Sequence, residues 1–552
     1  MSHPLSDHSV KGETQSGKAA SGTEIVVSEI TYGGGDIALR GILARPANDK
    51  GVVRPGILVL HGGPNSDIPQ SMRWLAEALA RRGFVALSGT YRHDPEKSHD
   101  AEDAALAIDF LSKLEGVDPK KIGMTGQSRG AMTSYRLSAV DPRVRAILPI
   151  ASGSPERFAG FGEVIKPNPR MHSESRYMEM IRSKGGFPKE FGEGAQDVVS
   201  MIPEGAFPSV FDLRIPILVL HGTWDLHGAV DGCYLMKDAA RERGAAHIRF
   251  NLVDGMGHFF ETAAGSLQGE IGELAADWFD HCLLGRDAGR DFEASLSLPD
   301  VAQWPVSDRF AIREIEYHSG NVTVPGFLLE PTPGHSNGRS VIYAPDGHSN
   351  ANASRLAFLV KELGESGFTV LVTRYRAEKA HVFDDDDIRA AIDFLQQSRG
   401  DAAREISLVG HVRGGMAVLR TAAKDKRPKK VVVLAAPSNV TRLIDGLQGF
   451  SRAAAAYEAS RIDGEKQYRA LSPQYYLHDV KVPVFLVHGS LDLMAPAEHM
   501  LWNAIGLTTT GNTSVEMYVV PWDTHYFDSP FAWMEPADWV GRITRFILDG
   551  PG

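Results

Sequence analysis

The stretch KIGMTGQSRGAM holds Ser128 between two glycines at the spacing Gly-x-Ser-x-Gly, after an apolar run and before a helical pattern. This context predicts a tight strand-to-helix turn that exposes the serine hydroxyl, and the glycines fit because neighbouring side chains would clash in so sharp a turn. A hydroxyl presented in this way can attack a carbonyl carbon once a base removes its proton. Ser128 is therefore the predicted nucleophile.

Two further residues complete a candidate catalytic set. Asp225 ends the apolar run PILVLHGTWD, and His258 lies in LVDGMGHFF, a glycine-containing segment after another apolar run. A carboxylate beyond a strand can accept a hydrogen bond from a histidine and fix its tautomer. The chain order of nucleophile, acid and base is the order that α/β-hydrolases use. A lone histidine is more often a core or surface residue, so the prediction depends on the three residues together.

The segment LVLHGGP could stabilise a developing negative charge. Gly62 and Gly63 follow a strand-like run and precede the first helical pattern, so their backbone amides could point at an oxyanion. The amide of Arg129 is the predicted second donor. Taken alone, HGGP would read as a simple turn at the end of a strand.

From about residue 25 to 285, the chain resembles the catalytic domain of prolyl oligopeptidase-type peptidases, such as acylaminoacyl and dipeptidyl peptidases, and dienelactone hydrolase-like esterases. The segments HGGP, VDPKKIGMTGQSRG, HGTWD and GMGH carry the resemblance. It implies acyl transfer through Ser128, with His258 as the general base, Asp225 orienting it, and the amides of Gly63 and Arg129 holding the oxyanion.

The sequence departs from that family in two places. About two dozen residues precede the first predicted strand, where such peptidases commonly carry a large propeller domain, which disfavours peptidase activity. Arg129 stands beside the nucleophile, where many relatives have an aromatic or small residue. A cation at this position could hold a substrate carboxylate or could simply point to the surface.

An internal repeat organises the chain. ITYGGGDIALRGILARP returns as IEYHSGNVTVPGFLLEP, Gly126 corresponds to Gly410, and PILVLHGTWD corresponds to PVFLVHGSLD. The second copy reads GHVRGGM and has Val412 in the nucleophile position, where an aliphatic side chain cannot attack a carbonyl. LHGGP becomes APDGH, which puts Asp346 near the site of developing negative charge. Asp492 and His525 keep the 33-position separation of Asp225 and His258.

In each copy, short runs rich in Val, Ile and Leu alternate with longer amphipathic segments, which predicts parallel strands joined by crossover helices. The predicted fold class is α/β, with two tandem α/β-hydrolase domains, each a mostly parallel doubly wound sheet with a helical lid insert. The predicted segments are a disordered tail at 1–24, a catalytic domain at 25–290 with a lid at about 152–213, a linker at 291–308, and a domain without a nucleophile at 309–552.

Composition limits the partners. A formal net charge of −11 argues against nucleic acid and anionic membranes. No apolar run approaches the roughly 18 residues that span a bilayer, and no signal peptide is evident, so we expect a cytoplasmic protein. Cys233 and Cys282 lack ligand-like spacing, and no cofactor or metal is expected. The second domain is expected to pack against the first as an internal pseudo-dimer, and a homo-oligomer stays open.

The predicted function is hydrolysis of a carboxylic ester of a small or medium molecule through an acyl-serine intermediate. A peptidase or amidase acting on short or modified peptides, and an acyltransferase using the same residues, stay open, and a non-catalytic binding protein is a further reading. Arg170, Arg176 and Tyr177 in the lid insert are candidate substrate contacts. The acidic run from Asp384 to Asp387 is interpreted as the start of a helix and not as a cation site.

Overall fold

In the computed structural model, the chain divides into two compact units, one built mainly from residues up to Ser297 and the other mainly from Leu298 onward. The structure describes residues 23–48, 51–62, 69–92, 99–152, 209–227, 230–262, 265–376, 381–400, 405–448, 452–460, 462–529 and 536–550. Almost all of the predicted tail lies outside these ranges. Nearly all of the predicted lid insert lies outside them as well.

The first unit is built on an eight-stranded sheet with the order β1-β2-β4-β3-β5-β6-β7-β8. Strand β2 is antiparallel to both of its neighbours, whereas the pairs from β4 through β8 are all parallel. The strands are β1 Ile25–Gly34, β2 Ile37–Pro46, β3 Arg54–Leu60, β4 Val85–Gly89, β5 Val117–Gln127, β6 Val144–Ile150, β7 Ile217–Gly222 and β8 Ile248–Val253.

Helices cover this sheet as two packed pairs. α1 contacts α5, and α2 contacts α3, which is the layering of a doubly wound sheet. The α5 residue Trp278 donates a hydrogen bond from its indole nitrogen to the backbone oxygen of Ile147 in β6, at 3.1 Å. The helices are α1 Arg73–Arg81, α2 Asp100–Lys113, α3 Arg129–Val140, α4 Asp231–Glu242 and α5 Gln268–Leu284, with 3-10 turns at Pro69–Met72 and Val210–Asp212.

The second unit repeats the topology in a sheet of order β11-β12-β14-β13-β15-β16-β17-β18. Its second strand is again antiparallel to both neighbours, and the following pairs are parallel. The strands are β11 Phe310–Ser319, β12 Val322–Pro331, β13 Ser340–Ala344, β14 Thr369–Thr373, β15 Ile406–His411, β16 Lys430–Leu434, β17 Val484–Gly489 and β18 Val515–Val520, while Glu261–Thr262 (β9) and Gly265–Ser266 (β10) form a small hairpin.

The helices of the second unit occupy corresponding places in the chain. They are α6 Asn350–Ala353, α7 Ala357–Glu365, α8 Asp384–Arg399, α9 Arg413–Lys424, α10 Val440–Gln448, α11 Arg452–Ser460, α12 Gly464–Leu471, α13 Glu498–Thr509 and α14 Trp539–Asp549, with 3-10 turns at Pro473–Tyr475 and Leu477–Asp479. Helix α8 begins at Asp384 and has four aspartates in its first turn, as the structural interpretation of that run predicts.

The central strands explain why their sequences are continuous apolar runs. In β3, the side chains from Ile57 to Leu60 are all fully buried, because helices cover both faces of a parallel sheet. No helix in the described ranges is both long and apolar enough to cross a bilayer. The predicted fold class, two mostly parallel doubly wound α/β sheets in tandem, is confirmed.

Candidate active site

Ser128 sits at the turn between β5, which ends at Gln127, and α3, which begins at Arg129. Its backbone has φ 52° and ψ −110°, a conformation that side-chain-bearing residues rarely adopt. The turn is held by the Ser128 amide, which donates to the Ile150 carbonyl at 2.8 Å, and by the Ser128 carbonyl, which accepts from the Met132 amide at 3.1 Å. Strain of this kind costs about 1–3 kcal/mol and persists where the surroundings enforce it.

The two glycines of the motif are required by close backbone approach. A Cβ on Gly126 would lie 2.7 Å from the carbonyl carbon of Gly130 and 2.8 Å from the carbonyl oxygen of Leu60. A Cβ on Gly130 would overlap the same Leu60 oxygen. Helix α3 can therefore start directly above β3 only if both positions lack a side chain.

Asp225 and His258 form a buried hydrogen-bonded pair. Asp225 follows β7 and His258 follows β8, and Nδ1 of His258 lies 2.9 and 3.0 Å from the two carboxylate oxygens. Burial alone would raise the pKa of Asp225, but the imidazoles of His258 and His221 and the hydrogen bond outweigh it and lower this pKa to about 2. The carboxylate stays ionised at neutral pH and can orient the imidazole.

A hydrogen bond connects the serine turn to the histidine loop. The side-chain amide of Gln127, the residue before Ser128, donates to the backbone oxygen of His258 at 2.9 Å. Strands β5, β7 and β8 run parallel, so the residues that follow them meet at one edge of the sheet. The structure thus places Ser128, Asp225 and His258 at the same edge.

Gly62 lies against the serine. A Cβ built on Gly62 would stand 3.0 Å from Cβ of Ser128 and 2.8 Å from Oε1 of Gln127, so only glycine fits without displacing them. This brings the backbone of the HGGP segment next to the predicted nucleophile. Gly63 and the lid residues Arg170, Arg176 and Tyr177 lie outside the described residues.

The side chain of Arg129 is engaged within the fold and does not point to the surface. Its Nε and a terminal nitrogen bind both oxygens of Asp100 at 2.8 and 2.6 Å, and its guanidinium lies 4.5 Å from the ring centre of Tyr91. The side chain is 13% exposed. The structure therefore assigns this cation to an internal ion pair at the start of α2, and the suggestion that it holds a substrate carboxylate gains no support.

The second unit keeps the same turn without the hydroxyl. Val412 has φ 51° and ψ −106°, and its amide donates to the Leu434 carbonyl at 2.8 Å. A positive φ is a genuine outlier for a β-branched residue. Arg413 repeats the role of Arg129, with both carboxylate oxygens of Asp384 at 2.7 Å and the ring of Tyr375 at 4.5 Å.

In the second unit, a carboxylate accepts from the backbone amide that corresponds to the predicted oxyanion donor of the first unit. The amide of Arg413, which corresponds to the amide of Arg129, donates to Oδ1 of Asp346 at 3.3 Å. Asp346 stands where the first unit has Gly62. The side chain supplies its own negative charge at the place where a reacting carbonyl would develop one, which opposes acyl transfer there.

The acid and histidine of the second unit stay paired. His525 Nδ1 lies 2.7 Å from Asp492, and Nε2 of His525 is buried with no hydrogen-bond partner among the described residues. Burial would lower the pKa of His525, but the carboxylates of Asp492 and Asp346 outweigh it and raise this pKa. His411, which corresponds to Gln127, contacts the His525 carbonyl at 2.9 Å.

Two residues that contact His258 or its loop were not predicted from the sequence. Gln127 occupies a variable position of the Gly-x-Ser-x-Gly motif, so the motif gives no reason to single it out. His227, two residues after Asp225, stacks on His258 with ring centres 4.5 Å apart. The fragment Asp-x-His was visible in HGTWDLH, but only the fold shows that the second imidazole faces the first.

The strand order shared by the two sheets, with a strained strand-to-helix turn after the fifth strand of each, defines the α/β-hydrolase fold. Residues 374–549 match the family model described as the prolyl oligopeptidase family. The matched range contains Val412, whereas the serine motif lies in the first unit.

Relatives share limited parts of the chain. An uncharacterized protein of Pseudomonas aeruginosa is 32% identical over 123 residues, 20% of this chain and 33% of that protein. A Bacillus subtilis protein named uncharacterized peptidase YtmA is 25% identical over 220 residues, 39% of this chain and 79% of that protein. A Pyrococcus furiosus esterase structure has a TM-score of 0.36 and 19% identity, covering 46% of this chain and 96% of its own. The chain spans a third of the Pseudomonas relative.

Proposed function

We propose that the first unit is a serine hydrolase that cleaves carboxylic esters of small or medium molecules. The observation that carries this proposal is the hydrogen-bonded pair of Asp225 and His258 at the sheet edge where Ser128 occupies a strained turn. Ser128 Oγ attacks the ester carbonyl while His258 accepts its proton. The same proton then leaves with the alcohol, and water hydrolyses the acyl-serine by the reverse roles.

Gly62 and Arg129 supply the electrostatic part of this proposal. The Gly62 backbone lies against Ser128, and the Arg129 amide is the first of helix α3, whose N-terminus carries partial positive charge. Gly63 stays a predicted second contributor from the HGGP segment. The ionised Asp225 stabilises the imidazolium that forms when His258 holds the serine proton.

A peptidase or amidase acting on short peptides is the second candidate. One observation favours it, namely that the Bacillus relative, which this chain matches over 79% of its length, is named a peptidase. An amide leaving group needs the same serine, histidine and acid. The two candidates therefore differ in substrate and not in machinery.

The test is turnover of p-nitrophenyl acetate and butyrate beside a panel of aminoacyl and dipeptidyl anilides. We expect ester turnover that Ser128→Ala lowers at least about 10⁴-fold, since the loss of the nucleophile removes the covalent route. Ser138→Ala is the matched control and retains turnover, because it removes a hydroxyl on the same helix that donates to the Tyr135 carbonyl at 3.0 Å. Anilide turnover without ester turnover selects the peptidase. If the protein turns over no ester and no anilide, both candidate functions are refuted.

A further inference from the structure

One group of ligating side chains extends beyond the proposed catalytic set. Asp225, His227 and His258 each offer a carboxylate oxygen or an imidazole nitrogen, and these three ligand atoms all lie within 4.8 Å of one another. We propose that these residues form a binding site for a divalent transition metal ion, with Zn²⁺ as the preferred ion, and that its occupation blocks the active site. The inhibition by the bound ion rests on the proposed hydrolase function, whereas the binding of the ion does not.

The backbone of the loop after β7 presents His227 to the other two residues. Its amide donates to Oδ1 of Asp225 at 3.0 Å, which fixes the start of the His227 side chain beside the carboxylate. The His227 and His258 rings stack with an interplanar angle of 28°. Phe259 contacts both rings edge-on, at 5.2 and 5.1 Å between centres. The two imidazoles therefore stack on each other, and both have a ligand atom close to Asp225.

The donor set suits zinc. Imidazole nitrogen and carboxylate oxygen bind Zn²⁺ at about 2.0–2.2 Å, and three protein ligands with a fourth position for water is a common arrangement of accessible zinc sites. Tetrahedral geometry with such bonds sets neighbouring ligand atoms about 3.3 Å apart. The pair of Asp225 and His258 is already at 2.9–3.0 Å, so His227 is the ligand that adjusts.

Exposure gives the ion a route to the site. Asp225 and His258 are buried, whereas the His227 side chain is exposed to solvent. An ion arriving from solvent therefore meets His227 first. Adjustment of this outer ligand leaves the buried pair in place, so binding requires no unfolding of the sheet edge.

Coordination moves a proton on the His258 ring. The imidazole nitrogen next to Asp225 loses its proton to solvent while the other ring nitrogen takes one up, so the ring stays neutral and the ion lies between the first nitrogen and the carboxylate. No bond of the chain breaks and no electron is transferred. One nitrogen of the His258 ring is then bound to the ion and the other is already protonated, so the ring cannot accept the serine proton and hydrolysis stops.

The second unit offers a natural contrast. Asp492 and His525 repeat the pair, but Met494 stands where the first unit has His227. A further imidazole near Asp492, that of His488, is buried, and its Nε2 contacts the Ala495 carbonyl. The described part of the second unit thus lacks the exposed imidazole that makes the first set accessible.

The experiment measures zinc binding separately from activity. Full-length Ser128→Ala protein is titrated with ZnCl₂ by calorimetry, and Co²⁺ is used as a visible-absorption probe of tetrahedral nitrogen and oxygen ligation. We expect one Zn²⁺ per chain and an affinity that His227→Phe lowers by at least about 100-fold, because phenylalanine keeps the stacking ring and removes the ligand atom. His478→Phe, which replaces an exposed histidine in the second unit, is the matched control and binds Zn²⁺ as before.

Activity is then tested in protein that retains Ser128. Zn²⁺ is expected to inhibit ester turnover, EDTA to restore it, and His227→Phe to resist inhibition relative to its own metal-free rate. Absence of binding, or equal binding by His227→Phe, overturns the metal site. Binding without any turnover in the unmodified enzyme instead refutes the hydrolase proposal and leaves the metal site standing.

Discussion

The serine turn of the first unit and its counterpart in the second have nearly the same backbone and opposite chemistry. Ser128 and Val412 share a strained conformation, with φ values of 52° and 51°. In the first unit a glycine, Gly62, lies against the turn, and in the second the carboxylate of Asp346 binds the turn's amide. The scaffold therefore preserves a costly geometry even where the side chain that would use it is absent.

The strain at Val412 indicates that the packing of the fold enforces this turn. A β-branched residue gains nothing from a positive φ, yet the strand and helix on either side enforce it. Gly410 and Gly414 make the same close approaches in the second unit that Gly126 and Gly130 make in the first. Catalysis in the proposed enzyme thus depends on a few side chains added to a geometry that the fold maintains anyway.

The largest expected difference between the units concerns their buried acids. Asp225→Asn should lower kcat for ester turnover by about 10⁴-fold, because an amide favours the wrong tautomer of His258. Asp492→Asn should leave turnover within about twofold and lower thermal stability, since Asp492 holds His525, His488 and the Ala495 amide. Steady-state kinetics and calorimetry of both variants provide the check. Equal losses of turnover would contradict the assignment of the chemistry to the first unit.

A second comparison concerns the carboxylate that occupies the second oxyanion site. In a Ser128→Ala background, Val412→Ser alone should react with a fluorophosphonate at least about 100-fold more slowly than Asp346→Gly/Val412→Ser. A like charge about 4 Å from the oxyanion costs about 4 kcal/mol at an effective dielectric constant of 20. The reaction rate of each variant is read by gel fluorescence.

The neutral isostere separates charge from size in that experiment. Asp346→Asn/Val412→Ser keeps the volume of the side chain and removes its charge, so we expect a rate between the other two. If Val412→Ser alone reacts as fast as the double variants, Asp346 does not obstruct the site.

Both units also have an ion pair between the arginine that follows the turn and an aspartate. Because the two pairs are buried to different degrees, we expect them to contribute differently to the free energy of unfolding. The Arg413 and Asp384 side chains are 4% and 3% exposed, whereas those of Arg129 and Asp100 are 13% and 7% exposed. Asp384→Ala should lower the free energy of unfolding by about 3 kcal/mol or more, because it leaves a buried guanidinium unpaired. Asp100→Ala should cost less. Urea unfolding of the full chain measures both, and a larger loss for Asp100→Ala would reverse the expected order.

The features of the two units that short motifs encode could be predicted from the sequence. Ser128, Asp225 and His258 follow strand ends in a fixed chain order, so their meeting at one sheet edge was predictable, as was the fold class. The partner of Arg129 was not predictable, because Asp100 lies in the first turn of a distant helix and no spacing links them. The same holds for the contact of Gln127 with His258, which exists only once two strands are aligned.

The smallest expected effect concerns Asp523, which stands where the first unit has Met256. Burial raises its pKa to about 7, although hydrogen bonds from the Ser529 and Thr524 amides oppose the rise. The folded protein therefore binds a proton that the unfolded chain releases, so stability falls as pH rises from about 4 to 7. Asp523→Asn should remove this loss and gain on the order of 2 kcal/mol at pH 8, with little change at pH 4.

Unfolding of Asp523→Asn at several pH values tests this expectation. Asp479→Asn, an exposed carboxylate in the same unit, is the control and should show no pH-dependent gain. A gain for Asp523→Asn that is the same at pH 4 and pH 8 would show that the side chain acts through packing and not through its proton.

The central claim is that the chain has one reactive serine and that it is Ser128. Labelling of the intact protein with a fluorophosphonate, followed by peptide mass spectrometry, tests it most directly. The account predicts one adduct per chain on the peptide that contains Ser128, and none in Ser128→Ala. An adduct on another residue, or one that survives Ser128→Ala, would contradict it.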